Sequence, residues 1–243
     1  MNFSSVKAIT IPEGKVTQIA CGGNVLWKAV TARIPSEYQE VEWIGKDGNS
    51  YFVSNFTINA LDRFTLYYRY NVPSGTGQAF MFGANNDSSL GDGGVNTPRF
   101  MHRYSGLVLN YTKSGGAAYP ALVHDGAFHT LELNCVHNGS LKGYKDGVLS
   151  INSTFYNAKV FDTFGVFCNN YAKAPQSYIA KNGSKISELR FVDDTTGEDV
   201  FNPVPCYRRS DGVIGMYDTV SKNFFTNQGT GSFTKGENVE KAI

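Results

Sequence analysis

FHTLELNCVHNGSLKGYKDGVLS, residues 128–150, is the stretch on which the fold turns. In its opening half Leu131, Leu133 and Cys135 alternate with Thr130, Glu132 and Asn134. That period of two sends successive side chains to opposite faces of an extended strand, where a helix would gather them every 3.6 residues. Asp146-Gly147 then separates two runs that contain apolar residues, and both residue types accept the positive φ angles of a two-residue turn whose twist matches paired strands. The stretch therefore predicts an antiparallel hairpin with one face buried.

The same signal extends in both directions. In RFTLYYRYNV (63–72), Phe64, Leu66, Tyr68, Tyr70 and Val72 share one face, and Thr65, Tyr67, Arg69 and Asn71 share the other. TFGVFCN (163–169) and KISELRFVD (185–193) continue the series, the second placing Leu189 and Phe191 on one face with Ser187. Aromatic residues form 14% of the chain and there are 26 glycines, a composition suited to many strands joined by tight turns. No self-similar period of 20 to 50 residues is present, which disfavours a propeller or a solenoid. The alternation gives way in three long polar loops, residues 83–100, 113–120 and 168–185.

The ends divide off. Val6–Ala29 reads as short strands punctuated by Pro12-Glu13-Gly14 and Gly22-Gly23, too short to hold a core and expected to attach to something else. We expect residues 1–33 to form an attachment segment, 34–236 the main all-β domain, and 237–243 a tail. Within the main domain, Ile214, Met216, Tyr217, Phe224, Phe225 and Phe233 predict a C-terminal hairpin packed onto the larger body.

Lys plus Arg is 22 and Asp plus Glu is 21, a balance that argues against a broad electrostatic grip on nucleic acid or an anionic membrane. No basic, apolar and small-residue series marks a secretory signal in the first residues, and no apolar run is long enough to span a bilayer. Cys21, Cys135, Cys168 and Cys206 lack the close pairing of zinc or redox sites, and Cys135 and Cys168 lie in apolar strand patterns, as buried free thiols do.

Catalytic constellations are missing. Glu40 and Glu42 share a strand face, but Val41 stands where a glycanase pair would carry an aspartate. There is no GxSxG elbow, and His102, His124, His129 and His137 show no metal-binding spacing. GTGQAF lacks the third glycine and the helix of a dinucleotide site. What the sequence does offer is the chemistry of sugar recognition, which combines aromatic rings for the apolar face of a pyranose with planar amides, carboxylates and guanidinium groups for its hydroxyls. Asn85, Asp87, Arg99, His102, Arg103, Tyr104, Asn169, Asn170 and Tyr171, in and beside the polar loops, form the candidate ligand-binding set.

Phe128, His129, Tyr144, Asp146 and Gly147 resemble the signature hairpin of laminin-G-like, concanavalin A-like domains, and KISELRFVD resembles the closing strand of that family. The resemblance spans residues 36–194 and implies an antiparallel jelly-roll β-sandwich, preceded here by the short N-terminal β segment. Such domains often bind calcium, for which Asn86, Asp87 and Asp92, with Asn85, supply hard oxygen ligands; no other cofactor is implied. IPSEYQEVEWI (34–44) and NPVPCYRRSDGVIGMYDTVSKNFFTNQGTGSFTKG (202–236) resemble segments of tail-associated and other virion proteins of phages and prophages of gut bacteria. That resemblance implies a non-enzymatic virion surface protein, made in the bacterial cytoplasm and presenting a lectin-like module to a host glycan or receptor. It also leaves open a capsid decoration, head-fibre or tail assembly role without glycan binding, and more remotely a glycan hydrolase. The implied partners are other virion proteins through the N-terminal segment, a bacterial surface glycan, and further copies of the chain, the trimer common among virion fibres being the arrangement the resemblance implies.

Overall fold

Alternating burial along the central strands organises the molecule into stacked antiparallel sheets. The computed structural model describes residues 18–21, 24–28, 33–58, 61–75, 80–85, 99–103, 106–109, 117–119, 122–155, 163–171 and 179–239. These contain strands and no helix. They fall into two units that part between Arg33 and Ile34. The smaller holds β1 (Gln18–Cys21) and β2 (Asn24–Lys28), an antiparallel pair. The segment before it, including Val6 to Gly14, lies outside the described residues.

In the larger unit, β3 (Tyr38–Glu40), β4 (Ile44–Asp47) and β5 (Phe52–Val53) lead into β6 (Arg63–Asn71), which sits at the middle of an eight-stranded sheet. A second, seven-stranded sheet contains β5, β7 (Phe80–Asn85), β8 (Arg99–Arg103), β9 (Gly106–Leu109), β10 (Ala117–Tyr119), β14 (Gly165–Val166) and β15 (Asn170–Tyr171). The eight-stranded sheet is completed by β4, β11 (Phe128–Val136), β12 (Gly139–Lys145), β13 (Val148–Phe155), β16 (Lys185–Asp193), β17 (Glu198–Phe201) and β21 (Ser232–Lys235). Its main path runs β13-β12-β11-β6-β16-β4-β21. A third sheet, β20-β19-β18-β3, joins β18 (Pro203–Arg208), β19 (Ile214–Asp218) and β20 (Phe224–Thr226) to β3.

Phe64, Leu66, Tyr68 and Tyr70 on β6 and Leu131, Leu133 and Cys135 on β11 are buried, as their alternation predicts. They meet Phe82, Phe100 and Phe164 from the seven-stranded sheet, with Phe64 edge-on to Phe100 at 5.7 Å between ring centroids and Tyr68 edge-on to Phe82 at 4.9 Å. Edge-to-face packing of this kind is what the aromatic quadrupole favours. Phe191 stands among Phe56, Phe64, Phe100 and Phe164, at centroid distances of 5.0, 5.8, 5.8 and 5.4 Å. Asp146 and Gly147 take φ of 49° and 79°, both positive, in the two-residue turn between β12 and β13.

β16 departs from simple alternation. A bulge between Ile186 and Glu188 shifts the register against β6. The buried residues are Ile186, Leu189 and Phe191; Ser187, expected on their face, instead donates its hydroxyl to the Glu42 carbonyl at 2.6 Å. The extra residue of the bulge costs one step of alternation. The C-terminal hairpin β19-β20 packs Phe225 flat on Phe52 at 5.2 Å, and Phe233 of β21 is buried. Glu237–Val239, placed by the sequence in a tail, continue the pairing: the Glu42 amide donates to the Glu237 carbonyl and the Val239 amide to the Glu40 carbonyl, both at 3.0 Å. Cys135, Cys168 and Cys206 are buried free thiols, and burial pushes all three upward in pKa, Cys206 to about 12.

Candidate ligand-binding face

The core-facing residues of the eight-stranded sheet leave their alternate neighbours on its outer side. Glu132 of β11 is in register with Tyr144 of β12 on one side and with Tyr67 of β6 on the other. Tyr67 is in turn opposite Arg190 of β16, and Tyr144 is opposite Leu149 of β13. The row Leu149, Tyr144, Glu132, Tyr67, Arg190 thus crosses five strands, about 19 Å at 4.8 Å per strand. Leu149 is 51% exposed, and the other members are partly exposed.

Polar bonds hold the row in place. The Arg190 guanidinium lies 4.4 Å above the Tyr67 ring and donates to Asp199 at 3.4 Å, with Glu188 at 3.8 Å. Asn134 donates its amide to Glu132 at 3.0 Å. Thr65, buried despite its place on this side, donates to both carboxylate oxygens of Asp194 at 2.9 and 3.0 Å or faces the Asn134 amide oxygen at 3.4 Å. Arg69 stacks on Phe128 at 4.7 Å and donates to Ser187 at 3.2 Å. Tyr144 makes no ring stacking contact with another described residue, so its ring and the Leu149 side chain form an apolar floor at one end of a polar strip.

One end of the sandwich is pinned by His129. Its Nδ1 lies 2.8 Å from Asp146 Oδ2 and its Nε2 lies 3.1 Å from Asp125 Oδ1. Burial opposes its charge, but the bonds to Asp146 and Asp125 outweigh that and raise its pKa. Asp146 also accepts the Thr130 amide at 2.8 Å, and this bond and His129 overcome its own burial to lower its pKa. His129 and Asp146 are therefore a hydrogen-bonded clamp that ties the β12-β13 turn to the start of β11 and to the loop before it.

The residues expected to bind ligand are placed as follows. Register sets Asn85 of β7 opposite Arg99 of β8, and Tyr171 of β15 beside Asn85 in a parallel pairing, so these three occupy one cross-strand row. Arg103 ends β8 opposite Phe80. Asp87, Tyr104 and the calcium candidates Asn86 and Asp92 lie outside the described residues. Asn169 and Asn170 are buried; Asn170 donates to the Thr163 carbonyl at 2.9 Å, and the Asn169 amide oxygen has no partner among the described residues.

His102 belongs to the core, because it shares the inward face of β8 with Phe100. Its Nδ1 is 3.0 Å from the Tyr68 hydroxyl and its Nε2 is 3.0 Å from Nε2 of His124. The ring centroids are 5.3 Å apart, little more than the two ring radii added to that bond, so the nitrogens point straight at each other. That is the geometry of an N–H···N bond, not of two ligands converging on a metal. One facing nitrogen carries a proton and the other cannot. Burial, reinforced by His124, pushes His102 well below its ordinary pKa, and burial with the Lys181 charge lowers His124.

The glycanase pair considered from sequence does not form: Glu40 is buried and Glu42 is exposed. The outer-face row was not singled out by composition. Its signal was the presence of Tyr67 on the polar side of an alternating strand, with Glu132 likewise on the polar side of the neighbouring one.

No family model matches the sequence, and neither does any curated protein. Among solved structures, the chain is similar to a candidate carbohydrate-binding protein from Bacteroides ovatus, with 14% identity, a TM-score of 0.50 and 84% of this chain covered. The fold is an antiparallel jelly-roll β-sandwich. The match takes in 62% of the Bacteroides ovatus chain. The chain is also similar to the CBM40 module of the Ruminococcus gnavus IT-sialidase bound to α2,3-sialyllactose, at 18% identity and TM-score 0.44 over 68% of this chain and 94% of that one. A heptameric pentraxin from Limulus polyphemus matches at 12% identity and TM-score 0.46, over 84% of this chain and 98% of that one.

Proposed function

We propose that this chain is a non-enzymatic carbohydrate-binding module that reads glycans on the outer face of its eight-stranded sheet. The observation that carries the reading is the row Leu149, Tyr144, Glu132, Tyr67, Arg190, which sets an apolar floor beside a carboxylate, an amide from Asn134 and a guanidinium. A pyranose has an apolar C–H face and a rim of hydroxyls, and these are the groups that match it. The test is binding of the full chain to a glycan array and to bacterial envelope polysaccharide, compared with Tyr67→Ala/Tyr144→Ala. Binding that falls at least about tenfold, a loss of about 1.4 kcal/mol, supports the reading. Binding that the double variant leaves intact places the site elsewhere, with the row of Asn85, Arg99 and Tyr171 next to be tested.

We further propose that the module is carried on a virion. In support, the two stretches that resemble phage proteins, residues 34–44 and 202–236, contribute β3 and β18-β20 to one sheet, with Cys206 opposite Glu40 in the pairing. Ile34, Val204, Cys206 and Tyr217 form a separate buried cluster there, flanked by Tyr38 and Phe224. Segments far apart in sequence that resemble the same proteins are here one structural piece. Deleting Val6–Ala29 is expected to abolish attachment to particles while leaving glycan binding unchanged. Retained attachment would remove the N-terminal segment from that role.

A further inference from the structure

The charge arrangement of the same face points to a ligand class. We propose that it takes uncharged glycans and rejects those carrying carboxylate or sulfate groups, an inference that rests on the carbohydrate reading above. An anionic sugar requires a cation free to meet it. Arg190, the guanidinium of the row, already lies between Asp199 at 3.4 Å and Glu188 at 3.8 Å, with its flat face on Tyr67. Arg69 is turned to Phe128 and Ser187. Lys142 is exposed in a neighbouring row, opposite Asn134 and Asn152, where a solvated ammonium is weakly felt.

The carboxylates are less well neutralised. Glu132, at the centre of the row, accepts from Asn134 and faces no cation among the described residues. Asp194 is held by the Thr65 hydroxyl, again an uncharged donor. A ligand lying along the row passes directly over Glu132. For a neutral sugar that carboxylate is an acceptor with lone pairs to spare for hydroxyl donors. For a uronate, a sialic acid or a sulfated sugar it is a like charge at contact distance, and like charges this close at a surface cost affinity. Tyr144 and Leu149 carry no charge and do not discriminate; they supply the stacking floor for either class.

The experiment compares calorimetric binding of the full chain to neutral oligosaccharides of hexose and N-acetylhexosamine units with binding to matched chains bearing a sialic acid, a uronic acid or a sulfate. We expect the neutral ligands to bind at least about tenfold more tightly at low ionic strength, with the gap shrinking as salt is added. Glu132→Gln keeps an acceptor of the same shape without the charge. It is expected to close most of the gap between the two classes, by raising the affinity for acidic sugars relative to that for neutral ones. Leu149→Ala, a change at an exposed position that does not threaten folding, should weaken both classes equally.

Acidic sugars binding as tightly as neutral ones, or a gap that Glu132→Gln leaves unchanged, would overturn the charge argument while the carbohydrate reading stands. If neither class binds, or if Leu149→Ala and Tyr144→Ala both leave binding unaffected, the face is not the site and both readings fall.

Discussion

Between about pH 6.5 and 5 the stability of this protein should fall, and His102 should be the main cause. The ring is fully buried, with Nδ1 on the Tyr68 hydroxyl and Nε2 on His124, so folding holds it neutral and depresses its pKa well below 6.5. The unfolded chain takes up a proton near 6.5 that the folded chain refuses. A depressed histidine therefore contributes in full above its unfolded pKa and loses that contribution as the pH drops toward the folded value. Each pH unit over which the unfolded histidine is protonated and the folded one is not is worth about 1.4 kcal/mol, and fully buried His102 carries the larger share. Half-buried His124 adds a smaller share in the same direction. His129 acts with the opposite sign and in a different window. Its pKa is raised, so its clamp is complete below about 6.5 and is lost as the pH rises through the folded value. Stability should accordingly peak near pH 6.5. Urea unfolding at half-unit steps from pH 5 to 8 measures this directly. The control is Tyr68→Phe/His102→Phe, which removes both partners of that bond together, so that the Tyr68 hydroxyl is not left behind without its acceptor. A level or rising stability from pH 6.5 down to 5 in the wild type would refute the reasoning, as would an acid slope that survives unchanged in the double variant.

Two further changes test the packing. Phe191→Ala removes a fully buried ring that touches both sheets, and should destabilise by about 3 to 5 kcal/mol in urea titration; a loss under about 1 kcal/mol would mean that the aromatic cluster closes over the gap. Gly229→Ala and Gly147→Ala should differ sharply in thermal unfolding: a Cβ at Gly229 would sit 1.8 Å from the Asn49 carbonyl oxygen, a backbone atom that cannot yield easily, whereas Gly147 has open space and only its φ of 79° to protest. We expect at least about 3 kcal/mol for the first and about 1 kcal/mol for the second.

The central strands were legible because each has one dry face and one wet one. Phe64, Leu66, Tyr68 and Tyr70 could not be shifted by one residue without exposing four large side chains, so register and fold class follow from the same pattern. Asp146-Gly147 was legible for a different reason, since few residue pairs accept two positive φ angles in succession. The bulge at Ser187 left no such mark: inserting one residue requires no special residue type there, and only the partner strand shows that alternation has slipped. Lys46 was equally silent. It reads as a surface lysine, yet it is 1% exposed, donating to the Gly48 carbonyl and to Asn182 at 2.8 Å, and burial lowers its pKa. The pairing of β3 with β18 joins residues that stand far apart in sequence, and alternation within one strand says nothing about which other strand lies beside it.

The candidate site divides along the same line. Alternation assigned Tyr67 and Glu132 to the polar side of their strands, but the row they make with Tyr144, Leu149 and Arg190 depends on the register of five strands, two of them bulged. The polar loops drew attention by composition, yet the described side chains of that set, His102, Asn169 and Asn170, are all buried. Small polar residues beside a loop can serve the framework as readily as a ligand, and composition does not separate the two. Period two does separate them on the sheet. Tyr67 lies between Leu66 and Tyr68, and Glu132 between Leu131 and Leu133, all four of these neighbours buried on the opposite side. Changes at Tyr67, Glu132 or Leu149 therefore reach the outer face while sparing the aromatic core. Thr65 is the exception, since it is 5% exposed and bonded to Asp194, and a change there would alter the sheet as well as the face. A loss of glycan binding at the first three positions with unchanged unfolding would locate recognition on the sheet itself.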